Sequence, residues 1–250
     1  MSTVLIYKRL LYTLGLLVTF SVISVDLKNV KKFTLITFLY NETNEKRLNE
    51  YIFCIENNLQ HPSIEKIHVI YDSSKTDESD QCLTYLHSKK ISLSYVESRP
   101  TYHEAFKIAN KSYPNSNIII SNADIYFDDT LFSVNNYDLE EKFLAITRWD
   151  LIKDKIIIPL LTDYGKQIDH SQDVWIFKTP LRPFKKDDIL VGTLGCDRRI
   201  AYWAKESGLT VLNPCLTIQC IHIHFSNIRH YENIPPPQEY SMPVPWNKLD

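Results

Sequence analysis

Between residues 33 and 121 the chain alternates short apolar runs with amphipathic segments, and few folds accommodate that alternation. Phe33 to Tyr40 is an apolar run that stops at Asn41-Glu42. Leu48, Tyr51, Ile52, Ile55 and Leu59 follow at helical spacing, on one face, and His61-Pro62 ends that helix. Ile67 to Tyr71 reads as the next strand, closing on Asp72-Ser73-Ser74. Residues 79–89 are expected to form a second helix, and Ile91, Leu93 and Tyr95 alternate with polar residues as a strand does. Thr101-Tyr102-His103-Glu104 is a capping box, opening a helix with Ala105, Phe106 and Ala109 inward. Asn117 to Ser121 is too short and too apolar for a surface helix and suits a central parallel strand. Strands joined by helices of this length are βαβ units. The expected fold is therefore α/β, one domain with a mostly parallel central sheet flanked by helices.

The second half is less regular. Phe143 to Thr147, Ile156 to Leu161, Val174 to Phe177 and Thr217 to His224 read as strands. Asp197 to Ser207 reads as a helix with Ile200, Trp203 and Ala204 inward, stopped by Gly208. Residues 231–250 carry Pro235, Pro236, Pro237, Pro243 and Pro245 and are expected to wrap the surface without regular structure.

Leu10 to Val25 is an uncharged apolar stretch after Lys8 and Arg9. As a helix it would span roughly 24 Å, slightly less than a ~30 Å hydrocarbon core. It is expected to be a signal anchor, with residues 26–32 as a stem and the main domain over residues 33–230. A cleaved signal peptide, which would leave the domain soluble, and a buried helix are the alternatives. The location implied is a single-pass membrane protein, of the Golgi or endoplasmic reticulum type or in a bacterial inner membrane. Two sequons, Asn41-Glu42-Thr43 and Asn110-Lys111-Ser112, permit a lumenal domain.

Composition excludes several classes. The net charge is -2 with no long basic run, which argues against a nucleic-acid partner. Five glycines form neither a dinucleotide fingerprint nor a phosphate-binding loop. The five cysteines lack zinc-ribbon spacing and read as small buried apolar residues, with a Cys215–Cys220 disulfide as the alternative in a lumenal domain.

In an open α/β sheet, ligands bind beyond the carboxyl ends of the strands. Three polar clusters fall at such ends: Tyr40-Asn41-Glu42, Asp72-Ser73-Ser74, and Ser121-Asn122-Ala123-Asp124. Asn122 and Asp124, two residues apart, can both reach one hard cation or its bound diphosphate. An Asx turn ending a strand is the plainer alternative. His222 and His224 alternate on a strand, so both imidazoles share a face. They are either cation ligands or simply a polar strand face. Gly192-Thr193-Leu194-Gly195-Cys196-Asp197 turns the chain sharply and presents Asp197 at a helix start, as a site acid, a cap, or both. Asp173, beside Trp175, is a second acid, and indole faces suit sugar rings.

The order of these clusters resembles family 2 glycosyltransferases and their GT-A relatives, over roughly residues 33–225. Tyr40-Asn41-Glu42 looks like the first-strand motif. Asp72-Ser73-Ser74 with Thr76-Asp77 looks like the nucleotide-binding Asp-Gly-Ser-Thr-Asp run, with Ser73 where glycine is usual. Asn122-Ala123-Asp124 is similar to the Asp-x-Asp metal motif. Cys196-Asp197 followed by Arg199 is similar to the Glu-Asp…Arg motif of the catalytic base. Glu206-Ser207-Gly208-Leu209 resembles the step after that helix, and His222 or His224 the late metal-ligand histidine. Asn122 and Cys196 depart from the pattern by replacing an acid.

The resemblance implies a GT-A-like domain moving a sugar from a UDP- or GDP-sugar to a hydroxyl of a glycan, lipid or protein acceptor. Asp72 would hold the nucleoside, and Asp124 with His222 or His224 would hold Mn²⁺ or Mg²⁺ on the diphosphate. Asp197 would be the general base of an inverting reaction, with Asp173 its rival. A non-catalytic carbohydrate- or nucleotide-binding module and a nucleotidyltransferase are the alternatives. The second wants a Gly-rich basic loop after the first strand, where this chain has Asn41-Glu42-Thr43-Asn44.

Overall fold

In the computed structural model, which describes residues 3–8, 21–26, 29–75, 80–152, 156–161, 165–228 and 240–249, two strands precede the main domain. Thr3–Lys8 (β1) and Ser21–Asp26 (β2) pair antiparallel. Of the expected membrane span, residues 10–20 lie outside the described residues. Ser21–Val25 is strand rather than helix, in keeping with its β-branched residues. Among the described residues no helix is long and apolar enough to cross a membrane.

Phe33–Tyr40 (β3) and Ile64–Asp72 (β4) follow, with Glu45–Gln60 (α1) between them. Asn44 caps α1 by accepting from the Arg47 N–H, and Leu48, Tyr51, Cys54 and Ile55 form its buried face. Where a helix was expected over residues 79–89, the described part holds only a 3₁₀ turn, Cys82–Tyr85. Cys82 is its one buried residue, so little apolar surface exists there to pack a longer helix. Ile91–Val96 (β5), Tyr102–Ser112 (α2) and Asn117–Ser121 (β6) complete the βαβ half.

Ile125–Phe127 (β7), Lys142–Ile146 (β8), Trp149–Ile152 (β9), Ile156–Pro159 (β10), Val174–Lys178 (β11), Cys196–Glu206 (α3), Thr210–Leu212 (β12) and Cys220–His222 (β13) form the second half. The expected strand over 217–224 is thus confined to three residues. Strands β7 and β9 are too short to show a period in sequence.

The central sheet has seven strands in the order β12-β8-β11-β6-β3-β4-β5, parallel except where β11 runs antiparallel between β6 and β8. Both faces are covered, which is why its strands read as continuous apolar runs. Leu48, Tyr51 and Ile55 of α1 pack with Leu35, Leu39 and Ile119 on one face. Phe106 of α2 and Trp203 of α3 pack with Ile36, Ile120 and Phe177 on the other. A smaller sheet has the order β10-β9-β13-β7. All five cysteines are free and buried. In the described tail, Val244 is buried, its N–H donating to Asp169 O, and the Trp246 indole donates to Ile168 O.

Candidate functional site

Register assembles the site. Tyr40 pairs with Asp72 at the ends of β3 and β4, and β6 ends beside them at Ser121. The three polar clusters therefore meet along one sheet edge. They open on a cleft of about 380 Å³ lined by Tyr40, Asp72, Asn122, Asp124, Asp173, His222 and His224, with Arg47, Arg99 and Arg148.

The small sheet supplies the far wall. His222 in β13 pairs with Ile125 of β7 on one side and Asp150 of β9 on the other. Its ring thus lies between two carboxylates: Nε2 is 3.1 Å from Asp124 Oδ2 and Nδ1 is 2.7 Å from Asp150 Oδ1. Burial alone would lower its pKa. Asp124 beside Nε2 outweighs that and raises it to about 9, so His222 donates to both acids as a cation. Arg47 of α1 reaches the same Asp124 Oδ2 at 2.5 Å and also bonds Glu50, the Tyr51 hydroxyl and Ile223 O. Burial opposes ionisation of Asp124. The adjoining His222 and Arg47 overcome it and hold the carboxyl well below its usual range.

Two polar atoms here are buried without a hydrogen-bond partner: Asp124 Oδ1 and His224 Nε2. One oxygen of Asp124 and one nitrogen of each histidine lie within 4.8 Å of one another. Unsatisfied buried lone pairs are costly unless something occupies the space between them. An acid and two imidazoles fit a divalent transition ion. Mg²⁺, which takes oxygen ligands, fits this set less well than Mn²⁺.

Asp173, immediately before β11, is set between Asn122 and Arg148 by the pairing of β11 with β6 and β8. Asn122 Nδ2 donates to Asp173 Oδ1 at 3.0 Å, and Arg148 Nη1 lies 3.2 and 3.4 Å from its two oxygens. Asn122 thus helps hold the Asp173 carboxylate in place. An aspartate there would oppose Asp173 as a like charge. Asp197, at the start of α3, does not line the cleft. Its Oδ2 accepts from the Gln172 N–H at 2.9 Å, directly behind Asp173. Burial raises its pKa to about 6, against the hydrogen bond from Gln172 and with help from Asp173.

The sequence candidates Trp175, Glu42, Asn41 and Ser73 fall outside the cleft. Trp175 is 1% exposed and packs edge-on against Tyr102, 4.9 Å between centroids, so its indole is not available to stack on a sugar. In β11 it belongs to the helix-covered core with Phe106 and Trp203. Glu42 accepts from the Tyr40 hydroxyl and the Asn44 N–H, which shapes the entry to α1. Asn41 is buried, and the Ser73 hydroxyl donates to Val96 O. Asp72 lines the cleft and accepts from Ser74; Thr76 and Asp77 lie outside the described residues.

Four side chains of the cleft and its cluster were not singled out from the sequence: Arg47, Arg99, Arg148 and Asp150. Three carried the signal that found the others, since Arg99 follows β5 and Arg148 and Asp150 follow β8, both parallel to β6. Arg47, in the first turn of α1, carried none.

No protein-family model and no curated protein matches the sequence. Solved structures do. A mannosyltransferase from Pyrobaculum calidifontis, PcManGT, in complex with GDP-Man and Mn²⁺, is 14% identical with a TM-score of 0.52, over 86% of this chain and 60% of that one. GalNAc-T7 with UDP, GalNAc and Mn²⁺ is 13% identical with a TM-score of 0.55, over 87% and 47%. The chain thus spans less than two thirds of either length. At these identities the likeness is one of fold, and the fold is that of the GT-A-type glycosyltransferases.

Proposed function

We propose that the protein is a metal-dependent glycosyltransferase that takes a UDP- or GDP-sugar as donor. The observation that carries this reading is the Asp124–His222–His224 cluster, with its two unsatisfied buried atoms, at the mouth of a cleft on the carboxyl edge of a GT-A-type sheet. The solved structures of like fold hold GDP-Man or UDP together with Mn²⁺.

On this reading Asp124, His222 and His224 hold Mn²⁺, which neutralises charge developing on the departing nucleoside diphosphate. Tyr40 and Asp72 face the nucleoside at the ends of β3 and β4. Arg99 lends the cleft a positive charge, its guanidinium bonded to the carbonyls of Val191 and Gly192. Asp173, anchored by Asn122 and Arg148, orients the acceptor. The same carboxylate, on the cleft wall, takes the acceptor's proton, giving inversion, while Asp197, outside the cleft and bonded to the Gln172 N–H, steadies the segment that carries it.

The test is a panel of UDP- and GDP-sugars incubated with Mn²⁺ or with EDTA, scored for released nucleotide. Release from one donor class with Mn²⁺ alone supports the proposal. Absence of release from every donor, with nucleotide still bound, would leave a binding module in its place.

A further inference from the structure

His222 is gripped at both ring nitrogens, and the two grips are chemically different. Nε2 faces Asp124, whose other oxygen is one of the two unsatisfied atoms of the cluster. Nδ1 faces Asp150 Oδ1 at 2.7 Å, on the side away from the cluster. Asp150 is itself held, since Arg148 Nε lies 2.9 Å from the same oxygen while Arg148 Nη1 is engaged by Asp173. An ionised carboxylate only accepts hydrogen bonds. Nδ1 must therefore carry hydrogen; a cation bound at the cluster displaces the Nε2 proton, and the neutral imidazole that remains keeps its hydrogen on Nδ1 and its lone pair on Nε2. His224 Nε2, by contrast, has no hydrogen-bond partner.

We propose that Asp150 is a positioning residue: it fixes the Nδ1–H form of His222 and so aims the Nε2 lone pair at the cation held with Asp124 and His224. The inference rests on the metal reading above and adds that one histidine of the two is pre-oriented. Pairing of β13 with β9 brings the two residues opposite each other, so the orientation is built into the sheet.

Mn²⁺ binding without nucleotide, followed by the electron paramagnetic resonance signal of the free ion, tests it. Asp150→Ala should weaken Mn²⁺ binding about 10–100-fold, the usual cost of losing such a partner. Asp150→Asn, whose carbonyl oxygen still accepts from Nδ1–H, should bind more tightly than Asp150→Ala. Equal weakness of the two variants would assign the effect to charge and overturn the orienting role. Wild-type affinity in folded Asp150→Ala would overturn this inference alone. A wild-type protein that binds no Mn²⁺ would overturn the metal reading and this inference together. Should Asp150→Ala not fold, ¹⁵N NMR of the wild-type protein loaded with diamagnetic Zn²⁺ decides: a proton on His222 Nδ1 is expected, and one on Nε2 refutes the proposal.

Discussion

Arg47 and Asp124, from α1 and the loop after β6, form an ion pair at 2.5 Å with side chains 7% and 11% exposed. Removing one partner of a buried pair strands the other, at a cost of about 3–5 kcal/mol. Asp124→Ala should therefore lower Tm, on the order of 10 °C for a chain this size. Asp124→Asn keeps an acceptor for Arg47 and should lose much less. Thermal unfolding of both variants checks this; a wild-type Tm for Asp124→Ala would contradict it. Asp124→Asn is accordingly the variant in which metal binding can be judged apart from folding.

Asn122 donates to Asp173. Asn122→Asp restores the residue pattern of an Asp-x-Asp motif, yet it sets two carboxylates against each other where Arg148 alone faces Asp173. The variant should lose activity at least tenfold and gain no Mn²⁺ affinity. Tighter Mn²⁺ binding with higher activity would show that Asn122 belongs to the cation site.

Asp173→Asn should bind donor normally and lower turnover by roughly 10²–10⁴-fold. Burial in the fold raises the Asp197 pKa to about 6, so that group's contribution to stability is full below about pH 4, the ordinary carboxylate range, and is lost as pH rises through about 6. The Tm of Asp197→Asn relative to wild type should accordingly improve from about pH 4 to about pH 7. If Asp197→Asn is the inactive variant and Asp173→Asn turns over normally, the two roles are exchanged.

Arg99 lines the cleft near Asp72, and its nitrogens bond only carbonyl oxygens among the described residues. Its positive charge remains available to the donor. Arg99→Gln should raise the donor KM about tenfold, the effect of losing one charge-assisted hydrogen bond, with kcat and Tm nearly unchanged. An unchanged KM would place Arg99 outside the donor contacts.

The βαβ half was legible because its periodicity is long and its strands are buried on both faces. Tyr40, Asp72, Asn122 and Asp124 were legible because parallel strands deliver their carboxyl ends to one edge. The meeting of His222 with Asp150 was not, since it depends on the register of β13, a strand of three residues whose partner β9 shows no period of its own. Trp175 misled because an indole beside an acid reads alike on either sheet face. Only the pairing of β11 between β6 and β8 turns it into the core. Arg47 is one cation among the polar residues of α1 until the fold folds Asp124 onto it.

Calorimetric titration of UDP and GDP into wild-type protein and Asp124→Asn, each with Mn²⁺ and with EDTA, tests the central claim most directly. The account predicts that one nucleoside diphosphate binds wild type at least tenfold more tightly with Mn²⁺ than with EDTA, and that Asp124→Asn loses this increment while remaining folded. Equal affinity of wild type in Mn²⁺ and EDTA, or an undiminished Mn²⁺ increment in Asp124→Asn, would contradict it.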